Sequence, residues 1–178
     1  MVGAGPDRGL PSVTMQPEPQ TVAVALRRLD PDLPVPVQAR PGDAGVDLHL
    51  REDVRVDPGE RVLVGTGVAV AVPEGYAAFV HPRSGLAARH GLTIVNAPGT
   101  VDSGYRGEIL VNLLNTDRQE PVHLRRGDRV AQLVVQQVAR PVFTVVDDLA
   151  DSPRGAGGHG HTGTSTTLPA TAGPTQKD

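Results

Sequence analysis

An all-β barrel or sandwich is the fold class this sequence predicts, and three observations predict it. The 178 residues include 21 Gly and 17 Pro, too many chain breakers for long helices to be the framework. Short Val-rich runs recur between PG, DPG, PEG, APG, DSG and RGD turn signals, the layout of many short strands. The only aromatic residues are Tyr76, Phe79, Tyr105 and Phe143, so Val, Leu, Ile and Ala must fill a small core that burial against identical subunits would help complete.

Along the chain, residues 1–19 are rich in Gly, Pro and polar residues without periodicity and read as a disordered extension, with Met15 an alternative start. Residues 20–150 form the expected β domain. Its strands are TVAVALRR, GVDLHL, RVLVGTGVAVAV, YAAFVHP, GEILVNLLN, RVAQLVVQQV and PVFTVV, each apolar or alternating and each bounded by turn residues. Helical spacing occurs only in Ser84 to His90, just after Pro82 and Arg83. Residues 151–178 return to Gly, Thr, Ser and Pro and read as a flexible arm.

Composition removes several classes. With no Cys, disulfide scaffolds, thiolate catalysis and Cys-based zinc sites are excluded, and a reducing cytoplasm is the compatible compartment. No apolar run is long enough to be a signal peptide or a membrane span. A net charge of -3 gives no general attraction to nucleic acid, so phosphate recognition must come from a few placed arginines, Lys177 being the only lysine.

Five segments carry candidate chemistry. Gly42 to Leu48 (GDAGVDL) opens a strand with Asp47, and alone reads first as an ordinary turn entering a strand. His81 to Leu92 places Arg83, Ser84 and Gly85 where a strand gives way to a helical turn, whose free N–H groups beside a guanidinium and a hydroxyl suit phosphate; a capped helix with a solvated Arg is the plain alternative. Asn96 to Glu108 is the most informative. Pro98-Gly99 and Ser103-Gly104 are turn signals that predict a hairpin, bringing Asp102 against Tyr105, a pairing from which an ordinary hairpin gains little. Arg126 to Leu133 is a turn feeding a strand in which Gln132 stands among apolar neighbours and needs partners if buried. Its Arg-Gly-Asp tripeptide is read as a tight turn rather than an adhesion motif. Arg154 to Gly163 is Gly-rich, with Arg154 able to grip a phosphate and His159 able to lie on a base; in isolation it reads as a linker or a weak His-Gly-His metal tract.

In this order the five segments resemble the five motifs of the trimeric dUTPase family, over about residues 21 to 163. The actinobacterial branch is especially similar, since His159 stands where most members carry Phe. The resemblance implies a distorted jelly-roll β-barrel and a homotrimer with C-terminal arm exchange, each active site drawing on three chains. It implies hydrolysis of dUTP to dUMP and pyrophosphate, with Mg2+ as cofactor. Asp102 would activate the water, and Gln132 would lie near it and the α-phosphate. Arg83, Ser84 and Gly85 would hold the phosphates, Asn96, Thr100 and the hairpin backbone the uracil, Tyr105 the deoxyribose face, Arg154 the γ-phosphate, and His159 with Gly160 the base. Asp47 would reach the hydrated magnesium through water. No direct nucleic-acid or membrane partner is implied.

Physical reasoning is consistent with these roles. A uracil-sized pocket crowds the methyl of thymine and mismatches the amine of cytosine, and a ring against the sugar excludes a 2'-hydroxyl. Phosphoryl chemistry depends mainly on positioning and charge neutralisation. Two departures from the family pattern stand out. His161 replaces a small hydroxyl residue, and protonation of His159 would make nucleotide affinity pH-dependent near neutrality. Two rival readings remain at this point: a dCTP deaminase of the same fold, and a nucleotide-binding module without turnover.

Overall fold

The computed structural model describes residues 21–156, so His159, Gly160 and His161 lie outside the described residues. Two four-stranded antiparallel sheets and a two-stranded ribbon make the fold, which is all-β apart from one short helix. The first sheet runs in the order β1 (Ala25–Arg28), β4 (Arg61–Ala71), β8 (Glu108–Asn115), β6 (Leu92–Ile94). The second runs β2 (Gly45–His49), β10 (Arg129–Gln137), β5 (Tyr76–Pro82), β7 (Gly99–Val101). β3 (Val54–Val56) and β9 (Val122–Leu124) pair as the ribbon. Helix α1, Ser84–His90, follows β5 at the position the spacing predicts.

Period-2 alternation decides which side chains face inward. In β8 the pattern buries Ile109, Val111, Leu113 and Asn115, and in β10 it buries Ala131 and Leu133. These meet Val64, Val68 and Val70 of β4, Leu48 of β2 and Val80 of β5 in one aliphatic core shared by both sheets. Among the described residues the one fully buried amide is satisfied: Asn115 Nδ2 donates to Val56 O at 3.0 Å and to Glu120 O at 2.9 Å, locking the ribbon to β8.

Three expectations change. The four three-residue strands β3, β6, β7 and β9 were not foreseen, because so short a run carries little alternation. The stretch Asn96 to Glu108 is not a hairpin. Its β7 pairs with β5 (Phe79 opposite Thr100), while β8 pairs with β4 and β6, so the stretch is a corner that carries the chain from one sheet to the other. The run PVFTVV forms no strand. It belongs to a second compact unit that begins at Pro141, the first ending at Arg140. There Val142, Phe143 and Leu149 are each 88 % exposed and Val145 is 97 % exposed.

Candidate active site

The corner is built by its own backbone. Tyr105 N donates to Asp102 O at 3.0 Å, closing the turn that Ser103-Gly104 predicts. Arg106 braces it from outside, its Nη1 donating to Ser103 O at 2.6 Å and to Tyr105 O at 2.7 Å. Tyr105 Oη donates to Glu108 O at 2.8 Å, so the ring folds back over the chain. Gly107 leaves room for that ring, since a Cβ there would collide with it. At the other end Asn96 lies over Gly99, where a Cβ would come within 3.2 Å of Asn96 Nδ2. The outcome is a cavity of about 180 Å³ lined by Asn96, Thr100, Asp102 and Tyr105 over the apolar floor of Val80 and Ile109. A cavity of ~150 Å³ is enough for one benzene ring, so this space matches a single pyrimidine. Asp102 is exposed at its mouth.

A second concavity, about 390 Å³, lies on the outward face of the β2–β10–β5 sheet and is lined by Asp47, Arg83, Arg129 and Gln132. The register places Gln132 between Asp47 on β2 and His81 on β5, half-buried and outward, rather than among core residues. Asp47 is the hinge of this cradle. Its Oδ1 lies 2.9 Å from Arg83 Nε, an ion pair without hydrogen-bond geometry, and its Oδ2 accepts from Arg129 Nη1 at 3.1 Å. Arg83 Nη1 also donates to Arg129 O at 3.1 Å. With Asp47 only 13 % exposed, the carboxylate holds two guanidiniums in a fixed fork aimed outward. Beside them His49 has no partner for its buried Nδ1. Burial pushes its imidazole below the ordinary range, Arg129 and Arg83 push the same way, and Asp47 opposes them.

Arg83 is the N-cap of α1 and no side chain caps the helix. The leading amides of the helix, those of Ser84 and Gly85, are therefore without a side-chain cap.

The RGD tripeptide is a tight turn: Gly127 has φ 89°, Asp128 N donates to Arg125 O, and Asp128 Oδ2 accepts from Arg125 N at 2.8 Å. That turn feeds a bulge between Arg129 and Ala131. Val130 and Ala131 are consecutive and both buried, which regular alternation forbids, and the extra residue turns Arg129 out to face His49 and Asp47. Arg129, Arg106 and Glu108 are the residues sequence reading missed. The signal for Arg129 was its place in the fourth segment; the bulge itself leaves no mark in the sequence.

The corner cavity and the cradle share no lining residue. One chain thus groups Asn96, Thr100, Asp102 and Tyr105 in one place and Asp47, Arg83 and Gln132 in another. Arg154 lies in the second unit, in a turn where Gly155 N donates to Ser152 O at 2.9 Å. Among the described residues no three His, Asp or Glu side chains form a metal-holding group, so the cradle, with Asp43 and Asp47, offers no all-protein cage.

The family model for dUTPase matches residues 32–163. The deoxyuridine 5'-triphosphate nucleotidohydrolase of Thermobifida fusca is 69% identical over 143 residues, covering 80% of each chain, and that of Rhodococcus erythropolis is 61% identical over 142 residues, covering 80% of this chain and 87% of its own. Among solved structures, the dUTPase of Staphylococcus bacteriophage 80alpha with dUpNHpp aligns with a TM-score of 0.74 at 27% identity, covering 81% of this chain and all of its own. A mutant dUTPase from phage phi11 of S. aureus, described with a structural Mg(II) ion, aligns with a TM-score of 0.66 at 26% identity over 71% of this chain and 98% of its own.

Proposed function

The chain belongs to the dUTPase family, and on that premise we propose how its residues divide the hydrolysis of dUTP to dUMP and pyrophosphate. The observation that carries the reading is the corner, where a carboxylate and an aromatic ring flank a ring-sized cavity edged by an amide and backbone groups. Uracil enters the cavity against Asn96 and Thr100, and the deoxyribose lies on Tyr105. Asp102, at the mouth, orients a water and takes its proton as the water attacks the α-phosphorus. The phosphate chain lies in a cradle of Arg83, Ser84, Gly85 and Gln132, whose donors neutralise charge that builds on the equatorial oxygens.

Corner and cradle share no lining residue within one chain, which supports a working site that combines the corner of one subunit with the cradle of another in a homotrimer. The exposed apolar segment after Arg140 supports this, since Val142, Phe143 and Val145 need a surface to cover them. Arg154, carried by that unit, closes on the γ-phosphate, and His159 with Gly160 covers the base. Magnesium fits as a guest of the triphosphate: Asp47, held between Arg83 and Arg129 in the cradle, would reach a hydrated ion through water. When bound, the ion would supply charge neutralisation on the phosphates. The missing cysteines suit a cytoplasmic enzyme, and no described helix is long and apolar enough to cross a membrane.

Pyrophosphate release from dUTP, dTTP, dCTP and UTP, with and without magnesium, tests reaction, base, sugar and cofactor together. The expected result is release from dUTP alone and only with the metal. Conversion of dCTP to dUTP would instead point to a deaminase.

A further inference from the structure

We propose that Glu108, seated in a bulge of β4 and paired with Arg51, is the positioning residue that fixes Tyr105 and so sets the preference for deoxyribose. The inference rests on the reading that Tyr105 lies against the sugar.

β4 and β8 pair regularly from Arg61 to Gly65, then slip: Gly65 faces Leu110, yet the next pair is Ala69 with Glu108. Four steps along β4 thus match two along β8, and the surplus falls between Gly65 and Ala69, where Thr66 and Gly67 are both buried. Such an insertion leaves backbone donors without ladder partners. Glu108 supplies one, its Oε1 accepting from Gly67 N at 2.8 Å, while Thr66 Oγ1 donates to Ile109 O at 2.7 Å. Gly65 makes the seat, because a Cβ there would come within 2.7 Å of Glu108 Oε1. The other carboxylate oxygen takes Arg51 Nη1 at 3.2 Å. Arg51 is itself tied to the bulge, its N–H donating to Gly65 O at 3.0 Å.

Glu108 is also where the corner ends, and its carbonyl accepts the Tyr105 hydroxyl. Glu108 borders the corner cavity, but both oxygens of its carboxylate are held on the β4 side by Gly67 and Arg51, so its effect on the nucleotide runs through the tyrosine. Releasing it frees the exit of the corner, and the ring can then withdraw from the sugar face. A site loosened by about 1 Å can lose on the order of a hundredfold in rate, and here the loss falls on the discrimination between a hydrogen and a hydroxyl at C2'.

The test measures kcat and KM for dUTP and UTP in the full-length protein and in Glu108→Ala, Glu108→Gln, Arg51→Ala and Tyr105→Ala. In Glu108→Ala the dUTP-over-UTP ratio of kcat/KM should fall about tenfold, through a higher KM for dUTP and improved use of UTP. Glu108→Gln keeps an oxygen for the Gly67 amide and should retain most of the preference, a rescue that general destabilisation would not give. Arg51→Ala, at a half-exposed side chain, should lower the ratio severalfold and decides the matter if Glu108→Ala does not fold. Parental preference in both Glu108→Ala and Arg51→Ala, with preference lost in Tyr105→Ala, overturns the role of Glu108 alone. Parental preference in Tyr105→Ala overturns the placement of the sugar on which it rests.

Discussion

In the corner, the polar groups Asn96, Thr100, Asp102 and Tyr105 all come from the single stretch 96–108, held by a turn, an arginine brace and a tyrosine folded over a glycine. In the cradle, Asp47, Arg83, Arg129 and Gln132 arrive from β2, the junction of β5 with α1, and β10, and only strand register brings them together. The first is short-range and mostly neutral, with its donors and acceptors in the backbone. The second is long-range and charged, and depends on a single carboxylate between two guanidiniums. The neutral pocket is made by local chain geometry, and the charged one by tertiary pairing.

The largest expected effect breaks the corner without touching the cradle. Asp102→Asn is nearly isosteric at an exposed position, so the protein should fold as before, while kcat for dUTP falls by about two to four orders of magnitude, the usual worth of a general base. Parental kcat in this variant would remove Asp102 from the chemistry.

Breaking the cradle should look different. Arg129→Ala removes one of the two guanidiniums on Asp47, and since Arg129 is half exposed, stability should change by less than ~1 kcal/mol. The KM for dUTP should rise about tenfold, as expected for a charged hydrogen bond worth ~1.5–3 kcal/mol, with kcat affected less. A change confined to kcat would contradict a binding role for the concavity that Arg129 lines with Arg83.

The smallest effect sharpens the comparison by probing the scaffold beneath both. Arg126 forks Asp30, Nη2 to Oδ1 at 2.8 Å, and its hydrogen bonds, with help from Arg51, hold the Asp30 carboxyl at about 2 against an ordinary 3.8. A depressed folded value means the contribution is present above the ordinary carboxylate range and is lost as pH falls from about 4 toward about 2. Urea titrations across that window should show a steeper acid loss for the parent than for Asp30→Asn, and parallel slopes would show that Asp30 is not linked to folding.

The same contrast decides what was legible in the sequence. Long strands announced themselves through alternation, and α1 through its spacing after Pro82. Asp102 and Tyr105 were readable as neighbours because a turn acts over four residues, whereas Asn96 entered only through the family resemblance. What the corner connects was not readable, since turn residues do not say whether the flanking strands pair with each other or with two different sheets. Arg129 was hidden by a bulge, and Glu108 by a slip in the β4–β8 register, both of which exist only once strands are paired. PVFTVV has the composition of a strand, but composition does not supply an edge to pair with.

The central claim, that corner and cradle belong to different subunits of one site, is tested by co-expressing Asp102→Asn with a cradle variant, Arg83→Ala, and assaying the mixed assemblies on dUTP. Each variant alone should be nearly inactive, whereas random mixing should restore about a quarter of the parental rate, because half the corners and half the cradles remain intact and pair independently. Mixed assemblies no more active than either variant alone would contradict it.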